Sequence, residues 1–254
     1  MYRVRLTFWI AWLVIALSST ALGLPVKTET VSYPSANGTV SGYLAVPDSP
    51  PPHPALVVIH EWWGLTDWVK GQAQELAASG YVTLAVDLYR GKVVYDPNLA
   101  NELARDLPED QVLSDLKAAF DYLASRPDVR KDKIGSVGWC MGGGFALLLA
   151  IHEPKLAACV VNYGSLPTNK DDIRKIHAPV LGNFGAEDRV VRPAAVEAFE
   201  NAMKAGQKSI DVKIYDRAGH AFENPDNHLG YQAAAAENAW ARTIAFLDRT
   251  LKGQ

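Results

Sequence analysis

Four reactive side chains stand just beyond short apolar runs of the sequence. Glu61 follows ALVVIH, Cys140 follows IGSVGW, Asp188 follows VLGNFG, and His220 comes a few residues after the run that ends at Tyr215. A thiol, an imidazole and a carboxylate supply a nucleophile, a general base and a group that orients the base, the set used in acyl transfer. Cys140 is the centre of Gly138-Trp-Cys-Met-Gly142, a G-x-C-x-G pattern with a predicted strand before it and a predicted helix after it. That context suits a nucleophile held in a sharp strand-to-helix turn, with cysteine where serine is more usual. Glycine two residues to either side removes the Cβ atoms that would strike the neighbouring strand and helix. The turn also puts the thiol at a helix amino terminus, where free N–H groups and the helix dipole favour negative charge. Glu187 is the near alternative to Asp188.

These residues need a scaffold that brings separate strand ends together. Alternation and β-branched content predict strands over 29–33 and 39–46, joined through an Asn-Gly turn. Buried strands are predicted over 55–60, 81–88, 134–139, 156–163, 179–184 and 210–215. Helices are predicted over 68–79, 110–125, 142–152, 192–205 and 231–251, from apolar spacing and capping signals. Residues 91–109 read as irregular or weakly helical, a partial lid or a plain crossover. Strands separated by helices mean crossover connections and a mostly parallel sheet covered on both faces, here with an antiparallel hairpin at one edge. In such sheets ligands gather at the carboxyl ends of the strands, where all four reactive residues fall.

The 254 residues and 48% hydrophobic content fit one well-buried α/β domain over 24–254. A net charge of −3 and no basic stripe argue against nucleic acid as a partner. The amino terminus is different in kind: Arg3 and Arg5 precede the apolar run 6–17, and SSTALG follows. This is the layout of an export signal over 1–23, with a secreted or periplasmic location expected; an uncleaved membrane anchor is the alternative. Two cysteines make no disulfide framework, and Cys159, inside LAACVVNYG, reads as a core strand residue.

Across residues 27–250 the chain resembles the dienelactone hydrolase family of α/β-hydrolases. The matching pieces are HEWWGL (60–65), VDLYRG (86–91), RPDVRKDKIGSVGWCMGGG (126–144), PVLGNFGAEDRVV (179–191) and YDRAGHAFENP (215–225). The order Cys140, Asp188, His220 is the nucleophile–acid–base order of that superfamily. The resemblance implies a Cys140–His220–Asp188 triad with no metal or organic cofactor, and Glu61 beside the thiol controlling its protonation. An oxyanion hole would use the backbone N–H of Met141 and, by the resemblance, of Trp62. Family members that act on dienelactone grip its carboxylate with arginines. Arg90 is one candidate, but the second position, four residues beyond the histidine, is Asn224, which cannot replace a guanidinium. Trp62, Trp63, Tyr89 and Phe222 are then candidates for an aromatic wall suited to less polar esters. The reading is a monomeric carboxylic-ester hydrolase for small esters or lactones. A non-catalytic binding protein and a redox-sensing thiol protein are the rival readings.

Overall fold

The computed structural model describes residues 23–167 and 169–253. The predicted export segment lies almost entirely outside them. Among the described residues, no helix is long and apolar enough to cross a membrane.

The hairpin forms first in chain order: β1 (Val26–Ser35) and β2 (Gly38–Pro47) pair antiparallel, with Gly38 at φ 111° in the turn that Asn-Gly foretold. The alternating unit follows. It runs β3 (His53–Ile59), α1 (Asp67–Ala78), β4 (Val82–Val86), α2 (Pro97–Arg105), α3 (Glu109–Ser125), β5 (Val129–Trp139) and α4 (Met141–His152). It continues through β6 (Ala158–Asn162), α5 (Lys170–Lys175), β7 (Val180–Gly185), α6 (Pro193–Ala205), β8 (Ile210–Tyr215) and α7 (Ala233–Leu247). A π-helical turn, Asp248–Lys252, closes the chain in place of the last turn of the longer helix predicted over 231–251. All eight strands form one sheet in the order β1-β2-β4-β3-β5-β6-β7-β8. From β4 to β8 the pairings are parallel, and β2 meets β4 antiparallel.

Strand periodicity divides the core into two layers. On β3, Ala55, Val57 and Ile59 face α3 and α4, whereas Leu56 and Val58 face α1 and α7. Every residue of β3, β4 and β6 is buried, as a parallel sheet covered on both faces requires. This apolar interior is rigid, and it holds the strand ends in fixed relation. The α/β-hydrolase architecture expected from the sequence is the one observed.

Two elements were not resolved by periodicity. Within residues 91–109 the chain forms α2, capped by the Asp96 carboxylate on the N–H groups of Asn98 and Leu99, with Pro97 in its first turn. Lys170–Lys175, capped by Asn169, is a further short helix that the sequence reading lacked.

Candidate active site

Cys140 occupies the turn between β5 and α4 at φ 54° and ψ −118°. A non-glycine residue there costs about 1–3 kcal/mol, and the turn is held by bonds on every side. The Cys140 N–H donates to Asn162 O at 3.0 Å, and its carbonyl accepts from Gly143 N at 3.0 Å and Gly144 N at 3.3 Å. The flanking glycines are sterically required: a Cβ on Gly138 would strike the backbone of Gly142, and one on Gly142 would strike the Ile59 and His60 carbonyls. Strand β3 and the head of α4 therefore approach backbone to backbone. Positive φ recurs nearby at Tyr163 (41°) and at Ala221 (55°), the residue after His220.

His220 bridges the thiol and the buried acid. Its Nε2 lies 3.0 Å from Cys140 Sγ and its Nδ1 lies 2.8 Å from Asp188 Oδ2. The other Asp188 oxygen accepts from the N–H groups of Val190 (2.7 Å) and Val191 (2.9 Å), so the carboxylate is fully bonded although it is out of solvent. Burial works against its charge, but His220 and those two N–H groups hold Asp188 below the usual carboxylate range. Burial likewise opposes a charged His220; the Asp188 and Cys140 contacts outweigh it and push His220 up to about 10. Glu187, the alternative acid, is exposed.

Glu61 follows β3 and is 2% exposed. Its Oε2 accepts from Asn224 Nδ2 at 2.6 Å and its Oε1 from the Tyr163 hydroxyl at 3.4 Å. Burial pushes the carboxyl up to about 7 against the opposing pull of Asn224 and His220. The backbone behind it is fixed by His60. Leu88 N donates to His60 Nε2 at 3.3 Å, so Nδ1 carries the proton given to Glu61 O. Among the described residues, the N–H groups of Met141 and Trp62 donate to no protein acceptor. They are free for an oxyanion.

Several sequence candidates take other roles. The Arg90 guanidinium is bonded to Asp115 of α3 at 2.6 Å, so its charge is already neutralised by a buried carboxylate instead of standing free for a substrate. Asn224 gives its amide to Glu61 and accepts from Asp226 N, which makes it part of the support for Glu61 and not a substrate contact. Phe222 is fully buried between Tyr163 and Tyr215 and contributes to the core beneath His220, not to an exposed wall. Trp62 and Trp63 are half-buried and stack edge to face at 4.8 Å. Tyr89 packs on His60 and donates its hydroxyl to Met141 Sδ at 3.5 Å, beside the elbow. Cys159 is buried in β6 and both cysteines are free.

Two residues packed around these side chains were missed. Tyr163, at the end of β6, donates to Glu61 and packs its ring 5.3 Å from that of His220. Glu223 accepts the Trp139 indole N–H at 3.1 Å while buried. Tyr163 was hidden because the strand predicted over 156–163 includes it, whereas the observed strand ends at Asn162 and leaves Tyr163 directly beyond the strand end. Among the described residues, no group of three His, Cys, Asp or Glu side chains is disposed to hold a metal ion.

Comparison with known proteins gives this geometry a context. A relative in Methylorubrum extorquens, named "putative carboxymethylenebutenolidase", is 32% identical over 84% of this chain and 77% of its own. A Klebsiella pneumoniae structure titled "putative dienelactone hydrolase" is similar at TM-score 0.81 and 29% identity, covering 89% of this chain and 99% of that one. A dienelactone hydrolase-like promiscuous phosphotriesterase from metagenomic libraries superposes at TM-score 0.82 with 25% identity, over 89% of this chain and 98% of that one. The sequence model of the dienelactone hydrolase family matches residues 40–251, from β2 to the closing π-helical turn and through every residue of the Cys140 site. That match makes the chain a member of the dienelactone hydrolase family, and a carboxylic-ester hydrolase.

Proposed function

We propose that this hydrolase works through Cys140 as nucleophile and an acyl-thioester intermediate. The observation that carries the reading is the line Asp188–His220–Cys140, bonded at 2.8 and 3.0 Å. In the first step Sγ bonds to the ester carbonyl carbon while the thiol proton resides on His220 Nε2, which the Cys140 and Asp188 contacts hold in the protonated form at neutral pH. Asp188 holds Nδ1–H, which fixes the tautomer and stabilises the imidazolium. The carbonyl oxygen becomes an oxyanion facing the N–H groups of Met141 and Trp62. Collapse expels the alkoxide, which takes the proton from Nε2. Water, deprotonated by the same nitrogen, then hydrolyses the thioester and returns the thiol.

For the substrate, we propose neutral, moderately apolar esters in preference to an anionic lactone. Arg90 is paired with Asp115, and Asn224 stands where a second guanidinium would be needed. Among the described residues, the exposed large apolar side chains other than Leu24 all follow, in sequence, the carboxyl ends of strands: Val93, Tyr95 and Leu99 after β4, Val190 after β7, and Leu229 and Tyr231 after β8. Exposed apolar side chains on the segments that follow the strand ends would offer area to an acyl chain, worth about 0.8 kcal/mol per buried methylene. Residues 1–23 are proposed as an export signal for the domain that follows, on the strength of Arg3, Arg5 and the apolar run after them.

Turnover of p-nitrophenyl esters of increasing acyl length, with Cys140→Ala as control, tests both proposals. The expected result is loss of turnover in the variant and kcat/KM rising from acetate to hexanoate in the wild type. Full activity of Cys140→Ala would overturn the nucleophile assignment. A preference for an anionic lactone over every neutral ester would overturn the substrate class.

A further inference from the structure

Glu223 is a carboxylate in an unfavourable place. It stands three residues past His220 and is nine-tenths buried. Its Oε2 accepts from Trp139 Nε1 at 3.1 Å, and its Oε1 has no partner within the protein. Among the described residues, neither Glu223 nor Glu61 forms an ion pair with a lysine, arginine or histidine. A buried carboxylate with half its bonds and no cation is costly as an anion and much less so as a neutral acid.

The groups that face it bear this out. Glu61 approaches from the end of β3, Tyr163 from the end of β6 and Tyr215 from the end of β8. Cys140 and His220 lie beyond Tyr163, and Asp226 stands on the same loop, near Glu61. The guanidinium nearest Tyr215, that of Arg242 in α7, is committed to Asn183 and Asp211. Burial and then the Glu61 charge push Glu223 up to about 8. The covalent path adds a second point. Trp139 is the last residue of β5 and the immediate neighbour of Cys140, so its bond to Glu223 joins the elbow directly to the loop that carries His220.

We propose that Glu223 is a positioning residue of the hydrolase site: through Trp139 it holds the histidine loop against the elbow, and by keeping its own proton it prevents a second negative charge from building up beside Glu61 behind the thiol. The two roles separate by substitution. Glutamine keeps an oxygen for the indole N–H and cannot ionise; leucine fills the space and supplies neither. Ionisation of Glu223 adds an anion beside Glu61 and on the loop that carries His220, so activity falls in mild alkali in the wild type alone.

The inference rests on Cys140 as the reacting thiol, so one measurement is made without turnover. The rate of Cys140 alkylation by iodoacetamide is followed against pH by peptide mass for wild type and Glu223→Gln, beside kcat and KM for both and for Glu223→Leu. Glu223→Gln should keep kcat/KM within about threefold at neutral pH and lose the decline above about pH 8. Its thiol should alkylate with a midpoint lower by about half a pH unit or more. Glu223→Leu should lose about tenfold or more in kcat with KM nearly unchanged, as expected of a misplaced histidine. Wild-type profiles for alkylation and turnover in Glu223→Gln would overturn the charge role, and wild-type kcat in Glu223→Leu would overturn the clamp. If the leucine variant does not fold, Trp139→Phe, which removes the donor alone, carries the clamp test. Were Cys140→Ala to retain ester turnover, the mechanism would fail separately, and the alkylation profiles would still decide the charge role of Glu223.

Discussion

His220 lies between a buried anion and a thiol, and its chemistry depends on which nitrogen carries the proton. Asp188 Oδ2 at 2.8 Å holds Nδ1–H, which leaves Nε2 as the nitrogen that exchanges a proton with sulfur at 3.0 Å. Asp188→Asn would present an amide N–H to Nδ1 and favour the opposite tautomer. Ester kcat/KM should then fall by about 10³-fold or more at neutral pH. A loss smaller than about tenfold would show that the carboxylate does not set the tautomer. The Asp188 carboxyl is held below its ordinary range, so its contribution to stability is present above the unfolded-state value and is lost as pH falls through the folded one. The acid limb of stability should therefore move toward neutrality in an Asp188→Asn background. Parallel acid melts of the two proteins check this.

At the scale of elements, the site is made by backbone proximity between β3, β5 and α4. Gly142 is one point of contact, because an added Cβ would come within 2.7 Å of the Ile59 carbonyl carbon, a rigid strand atom that cannot give way. Gly142→Ala should cost about 2 kcal/mol or more, read as a lowered midpoint in denaturant unfolding. An unchanged midpoint would mean that the elbow is more pliable than its bonding implies. The same elements explain what could be read in advance. The elbow was legible because strand, glycine-x-cysteine-x-glycine and helix follow one another within a single short stretch. Asp188 and His220 were legible because each stands beyond an apolar run. The partners of Arg90, Asn224 and Phe222 were not, because they come from α3, from the loop after β3 and from the sheet core. Those contacts exist only after folding, and no local pattern encodes them. Asp115 reads as an ordinary polar position of a helix, yet it is buried and binds Arg90. Helix α5, at six residues, is too short to display a period, and α2 reads only as weakly helical while its Asp96-Pro97 cap is left out of account.

Across the whole molecule, two buried carboxyls contribute to the dependence of stability on pH above the acid range. Glu61 and Glu223 are raised to about 7 and about 8, so the folded state holds protons that the unfolded chain releases near the ordinary glutamate value. Their contribution is fully present at low pH and is lost as pH rises through those folded values. Glu223→Gln should leave stability near pH 4 unchanged and then become progressively more stable than the wild type up to about pH 8. The gap should reach on the order of a few kcal/mol and grow no further. Thermal melts of both proteins across that range check the sign; a gap that shrinks with pH would contradict it. The proposed export signal bears on this scale as well. If the chain is exported as proposed, a free Cys140 has only the buried Cys159 as a cysteine within the chain, and Cys159 is locked in β6 with its thiol pushed up to about 12 by burial. Cell fractionation with the mass of the mature amino terminus tests the export signal, which predicts a chain shortened by the first 23 residues; an intact Met1 terminus would contradict cleavage. The central claim, that Cys140 is the acylated nucleophile, meets its most direct test in the mass of the enzyme quenched during turnover of an activated ester. The account predicts one acyl group, located on the peptide that contains Cys140 and absent from Cys140→Ala; turnover with no acyl group on that peptide, undiminished in Cys140→Ala, would contradict it.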